Sequence, residues 1–438
     1  MRVCVVGCGR QGLVMAAFFA EIGHRVRCIA DDPERRSRLE RGELSVREPG
    51  LGRLLAFHHM AGNLSFSTAL APSVAEADVV LMAIETPPSS SGEPDLTALR
   101  RAAQQVGAAL EGETLIALKG MIPIGCAAWV GMWLAEAAGV SVRAGAPARA
   151  PAFEVVTLPG PLRAGSALRD AFEPPCLLVG ATAPRALEAV RALYAPWRGS
   201  ERIPLVATDP ATAELVPFAA SAFLATRAAF SDELTQLCER FGASQADLAL
   251  GLGLDPRLAG AGGWAWGERA ATGELAALNR LAEEYGETPG VLRAAQATLS
   301  KRRAFTVTKL QRHLKVLKGR TVVLMGLDAA PDDGNASLPL DLAEHLLSIG
   351  VKVRAYDPEG GRDAAARCPA LVVAACPYEA ARGADALIFD ARAAWTELDL
   401  SRLRRQVRTP FLLDARNALS PGEVRAAGFA YAGIGRST

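Results

Sequence analysis

The chain has 438 residues, half of them hydrophobic, and its 48 basic and 47 acidic residues nearly cancel. This length exceeds what one hydrophobic core supports, so we expect two or three domains. The balanced charge gives no indication of nucleic acid or of an anionic membrane as a partner. The eight cysteines are scattered without a CxxC pair. This pattern predicts no metal site, no disulfide framework, and a reducing, cytoplasmic location.

The chain begins with a short β-branched run, 2–6, and a helix is predicted over 13–22. Between them lies a glycine turn with the sequence Gly7-Cys8-Gly9-Arg10-Gln11-Gly12. Strand, glycine turn and helix in this order are the dinucleotide-binding fingerprint. Gly7 permits the tight turn, Gly9 the approach of a pyrophosphate, and Gly12 close packing of helix and strand. The alternative is a glycine turn in an α/β protein that binds no nucleotide.

The second predicted strand, 25–29, is followed by Ala30-Asp31-Asp32 about twenty residues after the glycines. An acid at this place normally accepts hydrogen bonds from the ribose of the adenosine half. Arg35 follows on a predicted helix. It lies either on a solvated helix face or near the ribose or a 2′-phosphate.

Further along the chain, strands and helices alternate as in a parallel, doubly wound sheet. The predicted strands are 77–84, 114–118 and 153–157, with a helix at 96–110. Asp209 and Pro210 then predict the start of a long helix, 209–241. Residues 243–315 look helical. The alternation returns with strands at 321–326, 351–356, 384–389 and 411–414, and a helix at 338–349.

The predicted fold is therefore α/β, with two Rossmann-like doubly wound domains joined by a long central helix and a helical middle domain. The expected boundaries are 1–205, 206–315 and 316–438. The most apolar long run, 215–230, contains Pro217 and Arg227 and is predicted to be too short to cross a bilayer. We therefore expect no membrane span.

This layout and its motifs resemble the UDP-glucose/GDP-mannose dehydrogenase family over nearly the whole chain. The motifs are, in chain order, 7–14, 47–51, Glu85-Thr86-Pro87, Lys119 with Pro123-Ile124-Gly125, 221–226, 253–257, Tyr356-Asp357-Pro358, 414–417, and Ala427-Gly428-Phe429 with 433–436. The resemblance implies an N-terminal NAD domain, a dimer built on the central helix, and a C-terminal domain that holds a nucleotide sugar.

The resemblance also implies a reaction, in which a sugar C6 alcohol is oxidised to a carboxylate with NAD used twice. A thiol adds to the intermediate aldehyde, and the resulting thiohemiacetal gives up the second hydride. Lysine and asparagine stabilise the oxygen, while carboxylates and a threonine move protons. Cofactor contacts are implied at Thr86 and Pro87 as well as at the glycine turn. Substrate contacts are implied at Leu162, Arg163, Phe223, Arg257 and Gly263.

The residues at the chemical positions depart from the family pattern. Ala265 stands at the thiol position, and Arg269 stands where the family has an aspartate. The other replaced positions are Pro217 for the lysine, Ser221 for the asparagine, Gly160 and Ala164 for the two glutamates, and Met121 for the threonine. Loss of the thiol alone removes the second oxidation, because such groups act as a unit. The sequence therefore predicts that none of the catalytic residues is retained.

Cofactor binding is left open by the sequence. The family's ribose aspartate falls on Ala30, with Asp31 adjacent, and the acids favour NAD over NADP. Glu85 and Met121 add charge or bulk near the expected nicotinamide end.

Two classes of function follow from these residues. The first is a binding or regulatory protein, which senses a nucleotide sugar or pairs with an active paralogue. The second is an enzyme, either a working dehydrogenase or one with different chemistry on the same ligands. A homodimer through the 209–241 helix is expected in either case.

Overall fold

The computed structural model describes residues 1–46, 48–87, 94–139, 152–160, 162–197, 202–258, 272–327, 337–358, 361–390 and 398–436, with backbone alone at 362–363. The chain forms two compact units, Met1–Ala219 and Ala220–Thr438. The division falls inside the longest helix, α9 (Pro210–Phe241). Each unit is built around its own sheet.

Unit 1 contains an eight-stranded sheet with the order β3-β2-β1-β4-β5-β6-β7-β8. Its strands are β1 (Arg2–Val6), β2 (Arg25–Ile29), β3 (Leu64–Ser67), β4 (Val79–Met82), β5 (Thr114–Lys119), β6 (Phe153–Leu158), β7 (Leu177–Gly180) and β8 (Leu205–Thr208). Its helices are α1 (Arg10–Glu21), α2 (Pro33–Glu40), α3 (Leu51–Met60), α4 (Leu70–Ala75), α5 (Thr97–Gly107), α6 (Cys126–Ala137), α7 (Ala167–Phe172), α8 (Pro184–Tyr194) and the start of α9. Neighbouring strands are parallel except β6 and β7, which pair antiparallel at Thr157 and Gly180.

Successive side chains of a strand point to opposite faces of the sheet, and here they are apolar on both faces. Helices therefore cover both faces. Val3 and Val5 of β1 belong to one buried cluster, which includes α1 and α8. Cys4 and Val6 belong to a second cluster, which includes α5 and α6. The sheet is therefore the middle layer of three.

Unit 2 contains the rest of α9 and a six-stranded parallel sheet with the order β11-β10-β9-β12-β13-β14. The strands are β9 (Thr321–Met325), β10 (Lys352–Tyr356), β11 (Val372–Val373), β12 (Ala386–Phe389), β13 (Phe411–Asp414) and β14 (Ala430–Gly433). The helices are α10 (Gln245–Leu254), α11 (Thr272–Glu284), α12 (Gly290–Ser300), α13 (Arg302–Leu314), α14 (Leu338–Ser348), α15 (Gly361–Arg367), α16 (Pro377–Ala381), α17 (Leu400–Gln406) and α18 (Pro421–Ala426). The predicted α/β class with two Rossmann-like sheets is confirmed.

The long helix begins where the sequence predicts. The Asp209 carboxylate accepts a hydrogen bond from the Thr212 amide at 2.9 Å, which caps the N-terminus. The helix ends at Phe241, before Gly242 with φ of +73°. It continues through Pro217, which has no amide to donate to the carbonyl four residues earlier.

The length of α9 agrees with the predicted helix over 209–241. The helix has 32 residues, twice the apolar run 215–230 on which the expectation of no membrane span rests. Among the described residues, α9 alone is long and apolar enough to span a membrane by length and composition, and 44% of its most apolar stretch is buried inside the protein. A core helix of a globular protein meets the same criterion.

Candidate functional site

The glycine turn lies between β1 and α1, at the carboxyl edge of the unit 1 sheet. Gly7 has φ of +114°, and a Cβ there would lie 2.4 Å from the Ala83 carbonyl oxygen. A Cβ on Gly12 would lie 1.8 Å from the Gly7 carbonyl oxygen. Neither position accepts a side chain, so both glycines have the packing role that the fingerprint predicts.

Gly9 is the N-cap of α1, and no side chain caps this helix end. Free amides at such an end can bind an anion. The nearest atom to a Cβ built on Gly9 is Oε1 of Glu85, at 3.0 Å. The sequence placed Glu85 near the nicotinamide end of a bound dinucleotide. The structure instead puts its carboxylate over the glycine that a pyrophosphate would approach.

The two acids after β2 have different roles. Asp32 caps α2, because its Oδ1 accepts a hydrogen bond from the Arg35 amide at 2.7 Å. Asp31 forms an ion pair with the Arg35 guanidinium at 2.9 Å and stays largely exposed. The same guanidinium donates to the Cys8 carbonyl at 3.0 Å, so Arg35 connects the end of β2 to the glycine turn.

Lys119 ends β5 at the same edge of the sheet. Its Nζ donates to the Gly160 carbonyl at 3.3 Å. Desolvation of this amine lowers the pKa of Lys119 to about 8. Gly120 has φ of +127°, and the Gln11 side chain lies beside the place of its missing Cβ. The sequence singled out Lys119 only as a motif residue, because burial of an amine cannot be read from a short motif.

The positions predicted to depart from the family pattern, where the structure describes them, occur in both units. Met121 and Ala164 are partly buried in unit 1, and Gly160 has φ of +142°. Pro217 is buried in α9, and Ser221 follows one helical turn later. Arg10 is buried in the first turn of α1, and Thr86 and Pro87 follow Glu85 in the same segment. Gly263, Ala265 and Arg269 lie outside the described residues.

The implied substrate contacts that the structure describes have varied surroundings. Leu162 is buried in the unit 1 core, which leaves only its backbone for a ligand. Arg163 binds the Asp170 carboxylate through two nitrogens, at 3.0 and 2.5 Å. Arg257 is 86% exposed and is held by Asp255 at 2.6 Å. Phe223 projects from α9 and is 64% exposed.

Two buried carboxylates organise loops of unit 1: Glu214, which the sequence analysis did not single out, and Glu48, which it named only as part of the motif 47–51. Glu214 of α9 accepts hydrogen bonds from the Gly125 and Ala127 amides, at 2.6 and 2.9 Å, and so caps α6. Burial raises the pKa of Glu214, against the opposing effect of these two bonds. Glu48 accepts bonds from the Gly165 and Ala167 amides in the same way. Such partners lie far apart in sequence, and no local pattern predicts them.

In unit 2 the late motifs meet at the carboxyl edge of the second sheet. Arg416 and Asp390 form a buried ion pair at 2.5 Å. Asp414 accepts a hydrogen bond from the Tyr431 hydroxyl at 3.2 Å, and Arg436 donates to that hydroxyl at 3.0 Å. Burial, with the nearby Asp414 charge, raises the pKa of Tyr431. Asn417, with φ of +54°, donates to the Ile434 carbonyl at 2.7 Å.

Fold and site together define a two-sheet α/β protein with a dinucleotide-type glycine turn in its first unit. The chain belongs to the UDP-glucose/GDP-mannose dehydrogenase family. The model of the family's NAD binding domain matches residues 1–198 of the chain. The models of the family's central domain and UDP binding domain match residues 211–298 and 330–421. The resemblance that the motifs carry is confirmed.

Individual relatives match over the full length. The chain is 37% identical to the UDP-glucose 6-dehydrogenase of Pseudomonas aeruginosa, covering 100% of this chain and 98% of that protein. It is 33% identical to that of Rhizobium meliloti, covering 100% of both. Among solved structures, a UDP-glucose dehydrogenase from Pyrobaculum islandicum has a TM-score of 0.84 at 26% identity, covering 100% of this chain and 98% of that chain.

Proposed function

We propose that this chain is a family member that has lost nucleotide-sugar oxidation and acts by binding. It senses a nucleotide sugar or pairs with an active paralogue. The observation that carries this proposal is Ala265 at the thiol position of the family motif. A methyl group cannot add to an aldehyde, so no thiohemiacetal forms there and the second hydride has no source.

Three of the buried cysteines give no alternative thiol for this chemistry. Burial raises the pKa of Cys4 and of Cys126 to about 12. The pKa of Cys238, in α9, is also raised by burial. A thiol is nucleophilic as the thiolate, so these buried side chains are unreactive.

The residues at the other chemical positions of the family pattern support the same proposal. Gly160 and Met121 carry no group that moves a proton. Pro217 carries no cation to stabilise a developing oxyanion, and Ser221 has a single hydroxyl where the family has an amide. These assignments come from the motif resemblance, and together they remove the base, the acid and the cationic oxyanion donor.

We propose further that the glycine turn still accepts a dinucleotide weakly, at Gly7, Gly9, Arg10, Gln11 and Gly12. The packing of Gly7 and Gly12 fits this group, which would supply hydride acceptance when bound. Asp31 favours NAD over NADP. Its carboxylate can accept bonds from ribose hydroxyls, and it already pairs with Arg35, the cation that a 2′-phosphate would need.

The competing proposal is a working dehydrogenase. It is favoured by full-length identities of 37% and 33% to proteins named UDP-glucose 6-dehydrogenase. UDP-glucose is for this reason the first nucleotide sugar to test. Both proposals include domain boundaries at 1–205, 206–315 and 316–438. Both also include a cytoplasmic location, which fits a chain with eight free cysteines.

A thermal-shift screen tests the binding role. The purified chain is heated with UDP-glucose, UDP-N-acetylglucosamine, GDP-mannose, NAD or NADP, each at several concentrations. A ligand that binds the native state raises the melting temperature as its concentration rises. We expect a shift with one nucleotide sugar and a smaller shift with NAD than with that sugar. No shift with any nucleotide sugar contradicts the sensing role and leaves pairing with an active paralogue as the binding role.

A further inference from the structure

Three consecutive residues after β4 pack against the three glycines of the turn. The Ala83 carbonyl oxygen would lie 2.4 Å from a Cβ on Gly7, and the Ala83 amide donates to the Val6 carbonyl at 2.9 Å. Ile84 also packs against Gly7, with its Cδ1 at 3.3 Å from the same Cβ position. This backbone is therefore fixed in register beside β1. Glu85 is the next residue, so this register brings its backbone near Gly9, and its exposed side chain extends over that glycine.

Gly9 has no side chain, and the Glu85 carboxylate lies next to the position where one would begin. Oε1 of Glu85 lies 3.0 Å, and its Cδ 3.6 Å, from the Cβ position of Gly9. In a dinucleotide turn this is where the pyrophosphate approaches the backbone and the amides at the helix N-terminus. A carboxylate and a pyrophosphate are both anions and cannot share the position without repulsion.

We propose that the Glu85 carboxylate is a built-in competitor for the pyrophosphate, and that it sets the weak dinucleotide affinity of this chain. This inference rests on the proposed retention of the dinucleotide turn. The nearby guanidinium of Arg35 does not neutralise Glu85 in this arrangement, since it pairs with Asp31 and with the Cys8 carbonyl. The ligand class affected is any dinucleotide or nucleoside diphosphate that places phosphates on this turn.

Calorimetry with NAD and with ADP-ribose, which lacks the nicotinamide, tests the proposal. Glu85→Gln removes the charge and keeps the shape, and Glu85→Gly removes both. Glu111→Gln is the control, because it makes the same change in net charge at an exposed residue ahead of β5. We expect Glu85→Gln and Glu85→Gly each to bind both ligands about tenfold or more tightly than the parent chain. Glu111→Gln should bind like the parent.

Each other outcome overturns a defined part of the inference. Equal affinities in the parent, Glu85→Gln and Glu111→Gln overturn the competition while leaving the retained turn intact. A gain for NAD without a gain for ADP-ribose overturns the pyrophosphate position and returns Glu85 to the nicotinamide end. No heat with either ligand at millimolar concentration in any variant overturns both the competition and the retained turn. Melting temperatures of the variants confirm that all three are folded.

Discussion

The first 300 residues contain a single lysine, Lys119. Its amine has a pKa lowered to about 8 by desolvation, so at pH 8 about half of it is neutral and nucleophilic. We predict that trace acetylation of Lys119, followed by mass spectrometry, rises to half its maximal rate near pH 8. A lysine in an unstructured model peptide is the control and should reach half-maximum near pH 10. Parallel pH profiles for Lys119 and the peptide lysine would show that the Lys119 amine is solvated.

A second prediction at the residue scale concerns the thiol position. We expect Ala265→Cys alone to give no production of NADH with UDP-glucose. On the proposed loss of oxidation, Pro217, Ser221 and Gly160 stand at the positions of oxyanion donors and proton-moving groups, so the new thiol lacks them. The measurement is NADH absorbance over hours at high protein concentration. Sustained turnover by this single variant would mean that the remaining site is intact and that the motif alignment is wrong.

Single residues also show which structural roles the sequence predicts and which it does not. The packing roles of Gly7 and Gly12 follow from the fingerprint, because only glycine fits those backbone angles and distances. The different roles of Asp31 and Asp32 could not be predicted, since a cap and an ion pair depend on side-chain direction. The place of Glu85 over Gly9 depends on the pairing of β4 with β1, which are more than seventy residues apart.

At the scale of elements, a polar clamp joins α9, α13 and β14 within unit 2. Lys309 Nζ lies 2.7 Å from the Glu239 carboxylate and donates to the Gly433 carbonyl at 3.0 Å. The Glu239 carboxylate also accepts from the Gly435 amide at 2.7 Å. Both side chains are largely buried, at 8% and 15% exposed. Removing one partner would leave the other charge buried without compensation.

We therefore predict that Lys309→Met lowers the free energy of unfolding of unit 2 by about 3 kcal/mol. Lys352→Met is the matched control at an exposed strand residue, and its effect should stay within about 0.5 kcal/mol. Urea unfolding followed by circular dichroism measures both. Equal free energies of unfolding for Lys309→Met and Lys352→Met would mean that water solvates the Glu239 carboxylate once Lys309 is removed.

Elements with clear ends or fully apolar runs are predictable from the sequence, and several short ones are not. The limits of α9 follow from an Asp-Pro start and a glycine stop, and both are visible in the sequence. Strands β4, β12 and β13 have four residues each, all of them buried, and the sequence predicts them. Strands β3, β7, β8 and β14 are equally short but only partly buried, and their weaker apolar pattern was missed. The antiparallel step at β7 depends on the same missed strands.

At the scale of the whole molecule, α9 exposes an apolar surface. Phe223 and Phe230, seven residues apart on one helix face, are 64% and 51% exposed, and Leu224 beside them is 47% exposed. Ala228 on another face is buried. Exposed apolar patches of this kind mark interfaces, and a two-fold dimer is the commonest closed arrangement. The expected homodimer is consistent with this surface.

We predict a particle of about twice the 46.0 kDa chain mass by light scattering at micromolar concentration. The double variant Phe223→Glu with Phe230→Glu should be monomeric, because two charges in an apolar interface are not compensated. Phe57→Glu, on the exposed face of α3, is the control and should remain dimeric. A parent chain of single-chain mass contradicts a stable dimer on α9.

The proposed loss of oxidation is tested most directly by NADH production from purified chain with NAD and UDP-glucose, then with UDP-N-acetyl sugars and GDP-mannose. The protein must be made in cells that lack an active paralogue, and an authentic UDP-glucose 6-dehydrogenase in the same buffer serves as the positive control. We predict no increase in NADH absorbance above that of a sample without sugar. Sustained NADH formation, in proportion to the amount of this chain, would contradict the loss of oxidation and identify a working dehydrogenase.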